Sequence, residues 1–142
     1  MGGPVHVLFA CTQNAGRSQM AAAFFNALVD PAKARGLSAG THPADQIHGN
    51  VREVMEEVGI DLADARPRSL EDAVGEGVDV LVTMGCGVAC PTLPGVETLA
   101  WSFEDPSGAS ADAVRRIRDG VRDHIVRLLE ERDWLNSRKK SG

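Results

Sequence analysis

One eight-residue segment combines a thiol with the residue types that bind an oxyanion: Cys11-Thr12-Gln13-Asn14-Ala15-Gly16-Arg17-Ser18. The segment follows the apolar run 5–10, which predicts a buried strand, and leads into the helix-forming run 18–29. At a helix start, free backbone N–H groups and the helix dipole favour a bound anion. Because Ala15 and Gly16 are small, the backbone can approach a ligand closely. We therefore predict that residues 12–18 bind a tetrahedral oxyanion such as phosphate or arsenate.

Three side chains of this segment suggest nucleophilic chemistry. Arg17 can offer a planar, bidentate fork to two oxygens of the anion. The same positive surroundings favour the thiolate form of Cys11, which is the nucleophilic form, and Ser18 can donate a hydrogen bond to it. The alternative is that Cys11 is an apolar filler after the strand and Arg17 a surface cation. The position between a strand and a helix favours the nucleophile.

A second pair of thiols, Cys86 and Cys90, lies in a loop rich in Gly, Cys and Pro that spans residues 85–95. Their spacing of four places both on one side if the stretch turns helically. One such thiol can attack an adduct on Cys11, and the other can move the resulting disulfide outward. Gly85 and Gly87 permit the movement that this relay needs. Half of a zinc site and a pair of inert buried thiols are the alternatives.

A candidate general acid follows the predicted fourth strand. The oxygen that leaves the oxyanion needs a proton, and the carboxyl group of Asp105 can supply it. Pro106 stiffens the loop that carries this carboxyl group. The alternative is that Asp105 only starts a turn, as Asp-Pro pairs often do.

Strand and helix patterns alternate along the whole chain. Strands are predicted at residues 5–10, 37–41, 78–84 and 96–101, and helices at 18–29, 50–58, 69–75 and about 110–135. Asn50 and Ser69 are the predicted caps of the second and third helices. The alternation predicts one α/β domain, residues 1–142, with a parallel sheet and helices on both faces. Ligands bind at the carboxyl ends of such strands, where the loops 11–18, 85–95 and 102–108 would converge on one site.

Composition narrows the classes of function. The chain has 142 residues and a formal net charge of -5, so a broad nucleic-acid-binding face is not expected. No apolar run approaches the roughly 20 residues of a membrane span, and no signal peptide is recognisable, so a cytoplasmic location is expected. No metal site is expected, since the four histidines, His6, His42, His48 and His124, lack ligand spacing. The histidines are interpreted as surface or packing residues, and Trp101 and Trp134 as core or edge packing residues.

The Cys-x5-Arg-Ser loop resembles the oxyanion loop of low-molecular-weight protein tyrosine phosphatases and of the arsenate reductases that share their fold. The resemblance extends from residue 5 to about residue 135 and implies a four-stranded sheet of flavodoxin-like order 2-1-3-4. It implies that Asp105 is the general acid, that Asn14 orders the loop and that the segment Ser38-Ala39-Gly40-Thr41 supports the loop from a neighbouring strand. Some of these reductases bind potassium through a Glu where this chain has Ala22, so potassium dependence is not expected.

The segment around Cys86 and Cys90 resembles the redox loop of thioredoxin-coupled arsenate reductases. This resemblance implies that Cys11 attacks arsenate, that Cys86 and then Cys90 take over the oxidising equivalents, and that thioredoxin reduces the final disulfide. It implies no bound cofactor, and we expect a monomer.

Two other enzymes fit the same motifs. The first is a phosphatase that keeps Cys86 and Cys90 for redox control. The residues after Pro106 are Ser107 and Gly108, and the chain has no Tyr, which argues against an aromatic phosphotyrosine pocket. The second is a reductase that uses mycothiol and a glutaredoxin-like partner. A plain oxyanion sensor is the non-enzymatic alternative.

Overall fold

The computed structural model describes residues 3–85 and 93–136, and it contains every strand and helix that the sequence predicts. In chain order the elements are β1 Val5–Cys11, α1 Arg17–Leu28, β2 Ala34–Gly40, α2 Gly49–Glu56, α3 Leu70–Val74, β3 Val80–Thr83, β4 Glu97–Ala100 and α4 Ala111–Arg132. Their ends differ from the predictions by a few residues, as is usual where hydrogen bonding decides the last turn or ladder position.

The four strands form one parallel sheet in the order β2-β1-β3-β4. This order confirms the predicted 2-1-3-4 arrangement. The two central strands are the most apolar because strands in a parallel sheet are covered on both faces. Leu8 of β1, for example, is paired with Leu37 on one side and Leu81 on the other, and it is fully buried.

Side chains alternate between the two faces of β1, and each face supports its own core. Phe9 belongs to the larger cluster, which includes buried residues of α1, α2 and α4. Leu8 belongs to a smaller cluster that is covered by α3 through Ala73. Helices therefore lie on both faces of the sheet, as predicted. Cys11 lies on the Phe9 face, under the N-terminus of α1.

Aromatic contacts continue the larger core to its edges. The ring of Phe9 lies 5.6 Å from that of Phe25 and 6.0 Å from that of Trp101, measured between centroids. Trp134 packs against Phe25 at 6.2 Å, and His124 packs against Trp101 at 5.2 Å. The interpretation of both tryptophans and of His124 as packing residues is therefore confirmed.

The start of α2 differs from the prediction. The helix begins at Gly49, so His48 is the cap residue, and its side chain makes no capping hydrogen bond. Asn50 lies inside the first turn and donates from Nδ2 to the carbonyl oxygen of Pro106 instead. The prediction that Asn50 caps the helix was wrong because its amide is used by a distant loop. Ser69 caps α3 as predicted, accepting a hydrogen bond from the Asp72 amide at 3.2 Å.

Neither a membrane span nor a metal centre is found in the two described parts of the chain. Within residues 3–85 and 93–136, no helix has the length and apolar character needed to cross a membrane. Over the same residues, no three His, Cys, Asp or Glu side chains are grouped so that they could hold a metal ion.

An ion-pair network joins the end of α2 to α4. The buried guanidinium of Arg118 donates to the Val54 carbonyl oxygen at 2.9 Å and to a Glu57 carboxylate oxygen at 2.8 Å. Arg115 donates to the same carboxylate through two of its nitrogens. The hydrogen bonds from Arg115, followed by that from Arg118, hold the pKa of Glu57 below its ordinary value, against the opposing effect of desolvation.

This network predicts a specific pH dependence of stability. A carboxyl group whose pKa is lowered by folding stabilises the protein fully above its unfolded pKa, about 4.5, and loses that contribution as pH falls through the folded pKa. We expect Glu57→Gln to lower the melting temperature at pH 7 and the difference from wild type to shrink below pH 4.5. Thermal unfolding from pH 7 to pH 3, with Glu56→Gln as the exposed control on the same helix, measures this. A difference that stays constant down to pH 3 would contradict the assignment.

Candidate active site

A cavity of about 290 Å³ opens at the carboxyl ends of the strands. It brings together parts of three loops that the sequence predicted to converge, and its lining residues are Cys11, Thr12, Gln13, Ala15, Gly16, Arg17, His48, Gly85 and Asp105. The thiol, the guanidinium and the candidate acid thus share one cavity.

The backbone of the oxyanion loop, residues 11–18, is turned so that its carbonyl groups face away from this cavity. The carbonyl oxygens of Cys11, Thr12 and Gln13 accept hydrogen bonds of 3.1, 2.8 and 2.9 Å from amides in the segment 41–44. Within the described residues, none of the amides of residues 12–17 donates to a protein acceptor. These amides, at the start of α1, are therefore available to donate to an anion.

Hydrogen bonds orient the thiol of Cys11. Its Sγ atom lies 2.8 Å from Ser18 Oγ, and only 2% of the residue is exposed. The Asn14 side chain donates to the same Ser18 oxygen at 2.8 Å. Since Ser18 accepts from Asn14, its own proton is available for the sulfur. The Ser18 hydroxyl can therefore donate a hydrogen bond to the sulfur at the floor of the cavity.

Asn14 fixes the turn of the loop. Its φ of 51° lies in the left-handed region, which Asn tolerates better than most residues do. Its Oδ1 accepts hydrogen bonds from the Arg68 amide at 2.9 Å and from Gln19 Nε2 at 3.1 Å. The fully buried Asn14 thus ties the loop to α1 and to the chain before α3. This geometry agrees with the ordering role that the sequence predicted.

At two positions beside the oxyanion loop, a side chain would collide with residues of the site, and both positions are glycine. A Cβ atom on Gly40, at the end of β2, would lie 2.5 Å from the Thr12 carbonyl oxygen. A Cβ atom on Gly85, whose φ is +100°, would collide with Arg17 Nη1. Sequence reasoning assigned Gly85 only to loop movement. The segment 38–41, which was expected to support the loop, does contact it: Gly40 lies against the Thr12 carbonyl oxygen, and the Thr41 amide donates to the Cys11 carbonyl oxygen. Ser38 itself pairs with Phe9 within the sheet.

The segment 102–108, here called the acid loop, rests on the oxyanion loop. Arg17, only 9% exposed, donates from Nη1 to the Phe103 carbonyl oxygen at 3.1 Å. Pro106 lies over Gly16 so closely that a Cβ there would be 2.7 Å from the proline Cγ. Asp105 lines the cavity, while its Oδ1 accepts a hydrogen bond from the Ser107 amide at 2.9 Å. Asp105 therefore starts a turn and also lines the cavity that contains the thiol.

His48 is a cavity residue that sequence reasoning missed. It was interpreted as a surface or packing residue, but it lines the cavity beside Gly16. Its backbone amide also donates to the Ala15 carbonyl oxygen at 3.0 Å. The available signal was its position just before a helix at the carboxyl edge of the sheet, and no motif distinguished it from the other histidines.

The two remaining predicted thiols, Cys86 and Cys90, lie outside the described residues. Gly85, which directly precedes Cys86 in the sequence, lines the cavity. Cys11 is a free, buried cysteine.

A fold of this strand order, with a Cys-x5-Arg-Ser loop at the carboxyl edge of the sheet, defines a class of oxyanion-binding α/β proteins. The family model of the low molecular weight phosphotyrosine protein phosphatases matches residues 6–139, and the chain belongs to that family.

Similar proteins point to one branch of the family. The chain is 40% identical over 129 residues to a putative arsenate reductase of Halobacterium salinarum, across 87% of this chain and 89% of that protein. It is 32% identical over 126 residues to a glutaredoxin arsenate reductase of Synechocystis, across 87% and 95%. It superposes on a thioredoxin-dependent arsenate reductase of Corynebacterium glutamicum with a TM-score of 0.77 and 36% identity, covering 92% of this chain but only 63% of that one.

Asn14 provides a direct test of the loop. Asn14→Ala leaves the partly buried Arg68 amide without its acceptor and removes one of the three acceptors of Gln19 Nε2. We therefore expect a stability loss of about 1–3 kcal/mol and at least a tenfold weaker phosphate affinity. Calorimetric titration with phosphate and thermal unfolding measure the two effects.

The matched control for Asn14→Ala is Asn26→Ala. The amide of Asn26 donates to the Gly36 carbonyl oxygen at 3.0 Å, away from the cavity. This variant should lose stability but keep its phosphate affinity. If both variants bind phosphate like wild type, Asn14 does not shape the oxyanion loop.

Proposed function

We propose that this protein reduces arsenate to arsenite, with Cys11 as the nucleophile. The observation that carries the proposal is the buried thiol of Cys11, which lies at the floor of an oxyanion cavity with Arg17 and Asp105 around it, in a chain with two further cysteines. Similarity to arsenate reductases over most of the chain supports the same substrate.

In the first step the Cys11 thiolate attacks arsenic(V) and forms an S–As bond. One As–O bond breaks, and its oxygen leaves as water after it receives a proton from Asp105. The amides of residues 12–17 and the guanidinium of Arg17 stabilise the charge on the remaining oxygens. The Ser18 hydroxyl stabilises the thiolate before the attack and donates to its sulfur again when the thiolate is regenerated.

In the second step the Cys86 thiolate attacks Cys11 Sγ. An S–S bond forms and the S–As bond breaks, leaving its electron pair on arsenic, so that arsenic(V) becomes arsenic(III) and arsenite leaves. Cys90 then attacks Cys86, which forms the Cys86–Cys90 disulfide and returns Cys11 to the thiolate. A dithiol reductant supplies two electrons and two protons to close the cycle.

We propose thioredoxin as this reductant and no bound cofactor. Support comes from the thioredoxin-dependent relative of Corynebacterium glutamicum. The glutaredoxin arsenate reductase of Synechocystis supports the competing thiol-linked route. Both routes supply two electrons for each arsenate. They differ in which thiol resolves the Cys11 adduct.

Phosphate-ester hydrolysis is the second candidate function, and the family match favours it. The same cavity and the same acid would serve a phosphatase. The exposed residues that follow Pro106 are Ser107 and Gly108, which give no aromatic wall for a phosphotyrosine ring. A phosphatase also has no chemical use for Cys86 and Cys90.

A coupled assay separates these functions. With thioredoxin, its reductase and NADPH, wild-type protein should oxidise NADPH only when arsenate is added. Cys86→Ser should abolish this turnover, because Cys86 is the thiol that resolves the Cys11 adduct, while any hydrolysis of 4-nitrophenyl phosphate should survive. NADPH oxidation at the wild-type rate in Cys86→Ser, or none in wild type alongside active ester hydrolysis, refutes the proposed reductase.

Cys90→Ser distinguishes the two reductants. The thioredoxin route requires Cys90, so this variant should retain less than about a hundredth of the wild-type rate. If turnover instead persists in Cys90→Ser when mycothiol or glutathione and a glutaredoxin replace thioredoxin, the thiol-linked mechanism is correct.

A further inference from the structure

The N-terminus of α2 contacts both loops of the site, and one side chain there has no role in the chemistry described above. Asn50 donates from Nδ2 to the Pro106 carbonyl oxygen at 2.9 Å, across 56 residues of sequence. We propose that Asn50 is a positioning residue for Asp105, which it holds over the oxyanion cavity through Pro106. This inference rests on the role proposed above for Asp105 as the general acid.

The contact between the two loops leaves little freedom for Pro106. The proline is buried, although Asp105 before it and Ser107 after it are exposed. Its ring packs on Gly16, where even a methyl group would lie 2.7 Å from Cγ. Because the proline ring also restricts the backbone, a shift of Pro106 would be passed directly to the carboxyl group of the preceding residue.

The start of α2, which carries Asn50, is itself held in place. The backbone amide of His48 donates to the Ala15 carbonyl oxygen at 3.0 Å, which joins the start of α2 to the oxyanion loop. One turn further along, Val51, Val54 and Met55 are buried in the main core. The Asn50 amide therefore holds Pro106 relative to the same loop that holds Cys11.

Within the described residues, no other hydrogen bond supports the downstream half of the acid loop from outside. Arg17 holds the upstream half through the Phe103 carbonyl oxygen. Among residues 3–85 and 93–136, the Asp105 carboxylate accepts a hydrogen bond only from the Ser107 amide, inside its own turn. The second hydrogen bond to the Pro106 carbonyl oxygen comes from the Ala109 amide, three residues further along the chain and directly after the acid loop. The direction of the Asp105 carboxyl group thus depends on the Asn50 contact.

Loss of the Asn50 contact should affect proton transfer from Asp105 and not anion binding. General acid catalysis contributes typically 10²–10⁴-fold to a rate and depends on hydrogen-bond reach to the leaving group. Loss of the Asn50 contact should reduce proton delivery while the amides of residues 12–17 and Arg17 still bind the anion. We expect Asn50→Ala to lower kcat at least tenfold, with the affinity for inorganic phosphate changed less than twofold.

A double-mutant cycle with Asp105→Asn tests the proposal. Asn50→Ala should reduce kcat at least tenfold in the wild-type background and less than twofold in the Asp105→Asn background. Hydrolysis of phenyl phosphate, whose leaving group needs a proton, should fall more than that of 4-nitrophenyl phosphate. An equal loss in both backgrounds, an unchanged kcat, or a parallel loss of phosphate affinity would overturn the positioning role.

Two further variants keep the result interpretable. Asn26→Ala, which removes a side-chain amide bonded to a backbone carbonyl on β2, should lose stability without a change in kcat. Asn50→Leu keeps a side chain of similar volume but has no hydrogen-bond donor. It should show the same pattern of kcat and phosphate affinity as Asn50→Ala. If the alanine variant does not fold, the leucine variant takes its place in the test.

The aryl phosphates separate failure of this inference from failure of the proposed reductase. If arsenate is not reduced but aryl phosphates are hydrolysed in an Asp105-dependent way, the reductase proposal fails and the cycle still tests Asn50. If neither substrate shows turnover that depends on Asp105, the positioning role fails as well.

Discussion

The orientation of the peptide groups in the oxyanion loop is the constraint on which the rest of the site depends. An anion can be held by backbone amides only if the neighbouring carbonyl oxygens are directed elsewhere and satisfied there. Here the segment 41–44 supplies donors for the carbonyl groups of residues 11–13, and the start of α2 supplies one for Ala15. Asn14 adopts the left-handed conformation that the turn requires. The chain after β2 is therefore as necessary to the site as the loop itself.

The same constraint explains how a chain with a net charge of -5 can bind an oxyanion. The positive potential is local, because it comes from oriented amides, the N-terminus of α1 and one guanidinium. Arg17 is nearly buried and is fixed between Gly85 and the Phe103 carbonyl oxygen. Its position is set before the anion arrives, so little reorganisation is needed when charge develops on the ligand.

The strands and helices could be predicted from the sequence, because apolar runs such as residues 5–10 alternate with long helical patterns. The strand order followed from the resemblance of the Cys-x5-Arg-Ser loop to a known family. The convergence of Cys11, Arg17 and Asp105 followed from the rule that ligands bind at the carboxyl ends of parallel strands. The roles of His48, Gly40 and Asn50 could not be predicted. Each depends on contacts with residues 26 or more positions away, and the local pattern around Asn50 favoured a helix cap instead.

The central claim is that Cys11 passes two oxidising equivalents to Cys86 and Cys90. The most direct measurement is mass spectrometry of cysteine pairing after fully reduced protein has reacted with arsenate in the absence of any reductant, with arsenite measured in the same sample. The account predicts one arsenite per protein molecule, a Cys86–Cys90 disulfide and a free Cys11 thiol. Three free thiols without arsenite, or arsenic retained on Cys11 while Cys86 and Cys90 stay reduced, would contradict it.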